Sequence, residues 1–289
     1  MQYILLIGSA VLLATDFALN KKYQEIKGTS AAVGFGFNSL LGLFTAIIFY
    51  AINGFKMDFS YYSLVMAVLA NGFVMCYNII GFRLLKSGTM ALYTLFLMSG
   101  GMLLPYGFGL AFLNEPFSCL KTAALVLILI GVILSNVKNE EVNIKQTAMC
   151  IAVFVLNGLV SIVSKLHQIE LNFHAVSATD FVVIGGVVKF IMAGILYMLT
   201  GKNTKDKTQK KSRAMVMTII LSSAVAGGAA YLMQLLGAAS LPATVLYPFV
   251  TGGSIVISSL MGKVLFNEKL SRNLSIGIIL CFIGTVMFL

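Results

Sequence analysis

Ten stretches of this chain are each apolar enough, and long enough, to cross a lipid bilayer, and they use up most of its 289 residues. They fall at about 2–20, 31–53, 59–82, 89–111, 118–136, 146–164, 177–200, 214–236, 243–262 and 272–288. A hydrocarbon core of ~30 Å needs about 20 helical residues. Inside it every backbone N–H and C=O must be paired within the protein, which leaves helices or closed barrels as the spanning solutions. The runs are continuously apolar rather than alternating, so a barrel is excluded. Composition agrees: 59% of residues are hydrophobic, mean hydropathy is +0.95, and 10% are charged, against about 25% in a soluble domain. A water-soluble fold could not hide that much apolar surface. No polar stretch could build a large extramembrane domain. The predicted class is an all-α, multi-pass integral protein of the cell membrane. Residues 1–13 are apolar with no basic segment ahead of them, which predicts a retained first helix rather than a cleaved signal.

The net charge of +10 sits in short loops, so a nucleic-acid partner is not expected. Sixteen of the basic residues follow odd-numbered helices, six of them in the 201–213 loop, GKNTKDKTQKKSR. Three, Lys56, Lys121 and Lys165, follow even-numbered ones. The positive-inside rule then places the first group in the cytoplasm and both termini outside. The remaining basic residue, Lys189, stands alone in mid-helix. The breaks are read at 20–27, 53–58, 86–88, 114–116, 137–145 and 165–174; the last holds both histidines, His167 and His174. The four cysteines are scattered with no C-x-x-C, so no disulfide framework, zinc site or other cofactor is expected.

The chain also reads as two copies of one five-helix unit, 1–137 and 146–289. The segment at 113–134, LNEPFSCLKTAALVLILIGVIL, resembles that at 266–287, FNEKLSRNLSIGIILCFIGTVM. A shift of 153 matches Asn114, Glu115, Ser118 and Gly131 to Asn267, Glu268, Ser271 and Gly284. Tyr77 and Tyr93 are spaced as Tyr231 and Tyr247 are, under a shift of 154. Two tandem units with an odd number of spans insert in opposite directions, the inverted-repeat pattern of secondary transporters.

The repeated acidic motif, LNEPFS and FNEKLS, leads each time into a Gly-containing last helix. With the segments LLKSGTMALYTL and GAASLPATVLYPF before it, it resembles the drug/metabolite transporter superfamily, in particular its ten-helix EamA-type members. The resemblance covers essentially the whole chain. It implies a carrier whose central cavity is walled by the third, fourth, eighth and ninth helices, among others. Two departures are visible: no Trp stands in the first helix, and the family is usually drawn with cytoplasmic termini.

Several residues could carry the chemistry. A charge in mid-membrane costs about 2.5–3.5 kcal/mol, so Lys189 is read as a cavity cation for a carboxylate or phosphate, as one side of an internal ion pair, or as a lysine that snorkels to the interface. Asp16, toward the end of the first helix, could meet a substrate amine, carry a coupling proton, or pair with Lys189 or with Lys21 and Lys22. Tyr77, Tyr93, Tyr231 and Tyr247 offer rings and hydroxyls to a solute, or form an interfacial belt. Asn71, Asn157 and Gln234 are buried amides that could face solute or join helices; Asn157 is read as joining. Glu115 and Glu268 are read as structural acids that accept amides of the next helix, and Asp180 as an N-terminal helix charge. The glycine pairs and Pro248 suit close packing and a locally broken helix.

The expected function is secondary transport of a small polar metabolite by alternating access, with an amino acid or related amine-bearing compound as the best match to Asp16 and Lys189. Export of amphipathic cations is the alternative within transport. A structural or signalling membrane protein is the alternative outside it. An enzyme is not expected, because no H-E-x-x-H or G-x-S-x-G motif and no mid-membrane Asp pair is present. The expected partners are the small-molecule substrate, the lipid bilayer and a coupling proton or exchanged solute, acting on a monomer.

Overall fold

The computed structural model describes residues 2–86, 90–136, 143–201, 210–266 and 271–288, and among them there are ten helices and no strand. They are α1 (Gln2–Lys27), α2 (Ala31–Ile52), α3 (Tyr61–Lys86), α4 (Met90–Phe112), α5 (Cys119–Asn136), α6 (Ile144–Ile169), α7 (Ala178–Thr200), α8 (Lys210–Ser240), α9 (Ala243–Phe266) and α10 (Arg272–Val286). Eight of them, α1–α4 and α6–α9, are long and apolar enough to cross a membrane; α5 and α10 are apolar but shorter. Large apolar side chains such as Ile4, Ile52, Met198 and Val264 point away from the protein. Such a surface suits acyl chains and not water. The protein is a multi-pass membrane protein.

The halves pack on each other. α2 lies along α7, α5 along α10, and α4 against α9. α1 packs on α8 and α9, and α6, the first helix of the second half, packs on α3 and α4. At the α5–α10 crossing the backbones nearly touch. A methyl on Gly131 would stand 2.6 Å from the Gly277 carbonyl oxygen and 3.0 Å from the Cys281 nitrogen. One on Gly284 would stand 2.7 Å from the Ala124 oxygen and 3.2 Å from the Ile128 nitrogen. The two sets differ by a constant 153, the separation that also joins the Cys281 thiol to the Ile128 carbonyl. Between α2 and α7, Gly42 and Gly186 each approach the other's carbonyl oxygen, at 2.7 and 2.9 Å from a would-be Cβ.

Local chemistry sets the ends. Ser30, Ser177 and Ser271 cap α2, α7 and α10 through their hydroxyls, and Asn143 with Gln146 forms a reciprocal capping box on α6. Pro105 inside α4 has no N–H to give the Gly101 carbonyl four residues back. That carbonyl instead accepts the Ser161 hydroxyl of α6 at 3.3 Å.

Residues 20–27 and 165–169, expected as breaks, are helix, and α8 starts at Lys210, inside the expected 201–213 loop. Residues 20–27 continue α1, because Tyr23 is buried and packs its ring on Phe37 at 4.5 Å. α6 runs on to Ile169, so Lys165 and His167 are buried helical residues, and His174 alone of the two histidines is in the loop. Both extensions are amphipathic: their polar residues find protein partners, which a hydropathy reading takes for loop.

Candidate substrate cavity

The halves enclose a cavity of about 410 Å³, walled by every helix except α5 and α10. Of the residues expected at a site, Asp16, Asn71, Tyr77, Lys189, Tyr231, Gln234 and Tyr247 line it. Tyr93 does not; its ring lies 2.8 Å from a would-be Gly81 Cβ and lines a second pocket of about 260 Å³. The two pockets share Asn20, Phe37, Asn38, Tyr77, Asn78 and Leu97. The cavity therefore extends toward the end of the bundle that holds the C-termini of α1 and α3 and the N-termini of α2 and α4.

Asp16 and Lys189 are brought to this cavity by glycine. A Cβ on Gly227 would stand 3.1–3.3 Å from the Asp16 carboxyl atoms, so a side chain on α8 there would crowd the carboxylate. The Asp16 carboxylate accepts the Ser223 hydroxyl, one turn away on the same helix. On the facing wall, a Cβ on Gly42 would lie 3.1 Å from Lys189 Cβ. The two charges act on each other electrostatically, yet no ion pair within 4.0 Å joins them among the described residues. Lys189 makes no hydrogen bond to protein there either.

The amides divide as their geometry dictates. Asn157 donates to the Leu97 carbonyl at 2.7 Å, tying α6 to α4. Asn71 donates to Ala67 and, across to α7, to Gly185 at 3.3 Å. Gln234 has no such partner among the described residues. Tyr247 donates to the Ser161 carbonyl at 2.6 Å, and Tyr231 shares a 2.9 Å hydrogen bond with Ser164. Both tyrosines thus fix helices while showing a ring to the cavity.

The opposite end of the bundle is tied shut. Ser63 of α3 holds His167 of α6 at 2.8 Å and accepts the Val176 amide at 3.0 Å. The Ser60 hydroxyl donates to the His174 carbonyl, and the Asn53 amide donates to Asp180 at 2.8 Å. His167 is stacked on Phe181 with centroids 3.8 Å apart, and Tyr62 lies between His167 and Phe173. Asp180 is the expected N-terminal charge of α7, held by its cap Ser177 at 2.8 Å.

Glu115 caps a helix, but not the next one. Asn114 takes a left-handed backbone, φ 52°, which asparagine tolerates, and the turn ends α4. The Glu115 carboxylate then accepts the amides of Ala243 and Thr244 at 2.6 and 2.8 Å, the N-terminus of α9. Sequence order suggested α5; the tertiary fold puts α9 nearer. Glu268 lies outside the described residues.

Sequence reasoning missed Lys165. The residue is 6% exposed, and its ammonium donates to the carbonyls of Ala238 and Leu241 at 2.6 and 2.7 Å, closing the C-terminus of α8. Its only sequence signal was its place directly after the apolar run at 146–164, which reads as a loop cation.

No family model matches the chain, and no curated protein matches it. A solved crystal structure, described only as that of a protein, matches with a TM-score of 0.76 at 16% identity, over 98% of this chain and 94% of that one. At that identity the likeness is one of fold.

Proposed function

We propose that this chain is a secondary transporter that carries a small zwitterionic metabolite, an amino acid or related amine-bearing compound, across the cell membrane by alternating access. The observation that carries the reading is that Asp16 and Lys189 line one cavity from α1 and α7 without pairing. Burying two unpaired charges is expensive, and a solute with both an ammonium and a carboxylate satisfies both at once. The Lys189 ammonium weighs against an exporter of amphipathic cations.

Ten spans in two inverted halves are part of the same reading, as is kinship with the EamA-type drug/metabolite transporters. What supports the repeat is the constant offset of 153 in the contacts of Gly131 and Gly284, and the exchange of α1 on α8 and α9 for α6 on α3 and α4. With the charge-based orientation, the cavity reaches toward the cytoplasm while the outer end is tied shut, one of the two states that alternating access needs. A scaffold has no need of a cavity lined by Asp16 and Lys189 at the meeting of its halves.

Counterflow in proteoliposomes tests the function. Uptake of labelled amino acid driven by unlabelled amino acid inside is the expected result. Binding without exchange, or exchange of organic cations alone, would sink the proposal.

A further inference from the structure

A threonine in a helix has a ready acceptor in the carbonyl four residues back. Thr15, Thr122, Thr200, Thr218 and Thr285 all use it, at 2.7–3.1 Å. Thr45 of α2 and Thr251 of α9 do not: neither hydroxyl has a hydrogen bond among the described residues, and both residues line the cavity. Thr45 is 9% exposed, so its only open side is the cavity itself. Neither hydroxyl is sealed off from the cavity, so each can pair with a polar group that enters it.

Position connects the two to the charges. A Cβ on Gly228 would touch Thr45 Cγ2 at 3.1 Å, and the adjacent Gly227 stands against Asp16. α2 also carries Gly42, which packs on Lys189. Thr45 therefore belongs to the same crossing as the charged pair. Thr251 looks in from another wall, where α9 packs with α1 and α4. Thr45 is seven residues from Ile52 and Thr251 eight from Ala243, which at 1.5 Å per residue is about 11–12 Å from the same, tied end of the bundle.

We infer that Thr45 and Thr251 determine specificity, by hydrogen bonding a neutral side chain of the solute whose charged groups meet Asp16 and Lys189. The preferred cargo is then a zwitterion bearing a hydroxyl or carboxamide, over its aliphatic isostere. The inference rests on the carrier reading above and adds the substrate class to it. A site built to pair a hydroxyl discriminates well against the analogue that lacks one, because its own polar groups are left unpaired.

Calorimetric titration of the purified full-length protein with threonine, valine, asparagine and leucine tests it. Threonine and valine share a shape and differ by the hydroxyl. The wild type should bind threonine at least about tenfold more tightly than valine, with asparagine similarly ahead of leucine. Thr45→Val and Thr251→Val should each keep valine binding and shrink that ratio severalfold, while Thr45→Ser keeps it. The two Val variants lie on different helices, α2 and α9, so loss of folding in one leaves the other decisive. A wild-type ratio near one, or the same ratio in the variants, overturns the assignment and leaves the carrier reading standing. Failure of any zwitterion to bind overturns both.

Discussion

Asp16 and Lys189 share a cavity and do not touch. Asp16 is held by Ser223 against the bare backbone of Gly227, and Lys189 reaches in from the α7 side with no protein acceptor among the described residues. Opposite charges attract strongly where water is scarce. In the proposed reading, a solute cationic at one end and anionic at the other answers both groups.

Lys189→Met keeps the length of the side chain and removes its charge. Exchange should fall at least about tenfold while expression and thermal stability hold, since a charge-assisted hydrogen bond to the solute is worth about 1.5–3 kcal/mol. Wild-type exchange in this variant would remove Lys189 from the mechanism. If the residue serves only to balance Asp16, the added change Asp16→Asn should restore transport.

Glu115→Gln leaves one acceptor oxygen where two amides of α9 now bond, and removes the negative charge from that helix start. The loss should be about 1–2 kcal/mol, read as a lower unfolding midpoint in detergent. An unchanged midpoint would show that water caps α9 equally well.

Gly131→Ala and Gly284→Ala place a methyl against backbone atoms, which cannot swing aside as a side chain can. Each should cost about 1–3 kcal/mol. The two should be alike, because their surroundings repeat. A clear inequality in thermal unfolding would count against equivalent α5 and α10 crossings.

Glu170, in the loop after α6, accepts the amides of Asn172, Leu171 and Phe173 at 2.7, 3.1 and 3.3 Å. Those bonds, that from Asn172 foremost, hold its carboxyl below the usual carboxylate range. With the folded value depressed, its contribution is present above the unfolded value and is lost as pH falls through the folded one. Glu170→Gln should therefore flatten the acid side of the stability profile at that step. A variant whose midpoint falls with acid as steeply as the wild type's would refute this.

The sequence by itself determined the class of the protein, and the reason is the solvent. In hydrocarbon a continuous apolar run has one way to satisfy its backbone, so ten runs read as ten helices. Lys189 was legible as a cavity candidate because charge in mid-helix is costly wherever it stands, and Asp16, read toward the end of its helix, lines the same cavity. The ends of α1 and α6 were not legible, because Tyr23, Lys165 and His167 are polar groups whose partners come from other helices. That Asn157 ties α6 to α4 while lining the cavity, and that Glu115 caps α9 rather than α5, depended on neighbours 60 to 129 residues away. Thr45 and Thr251 show the limit most plainly. In sequence they are two threonines like the rest; only the packed bundle gives their hydroxyls a cavity to face, unpaired with the carbonyl one turn back.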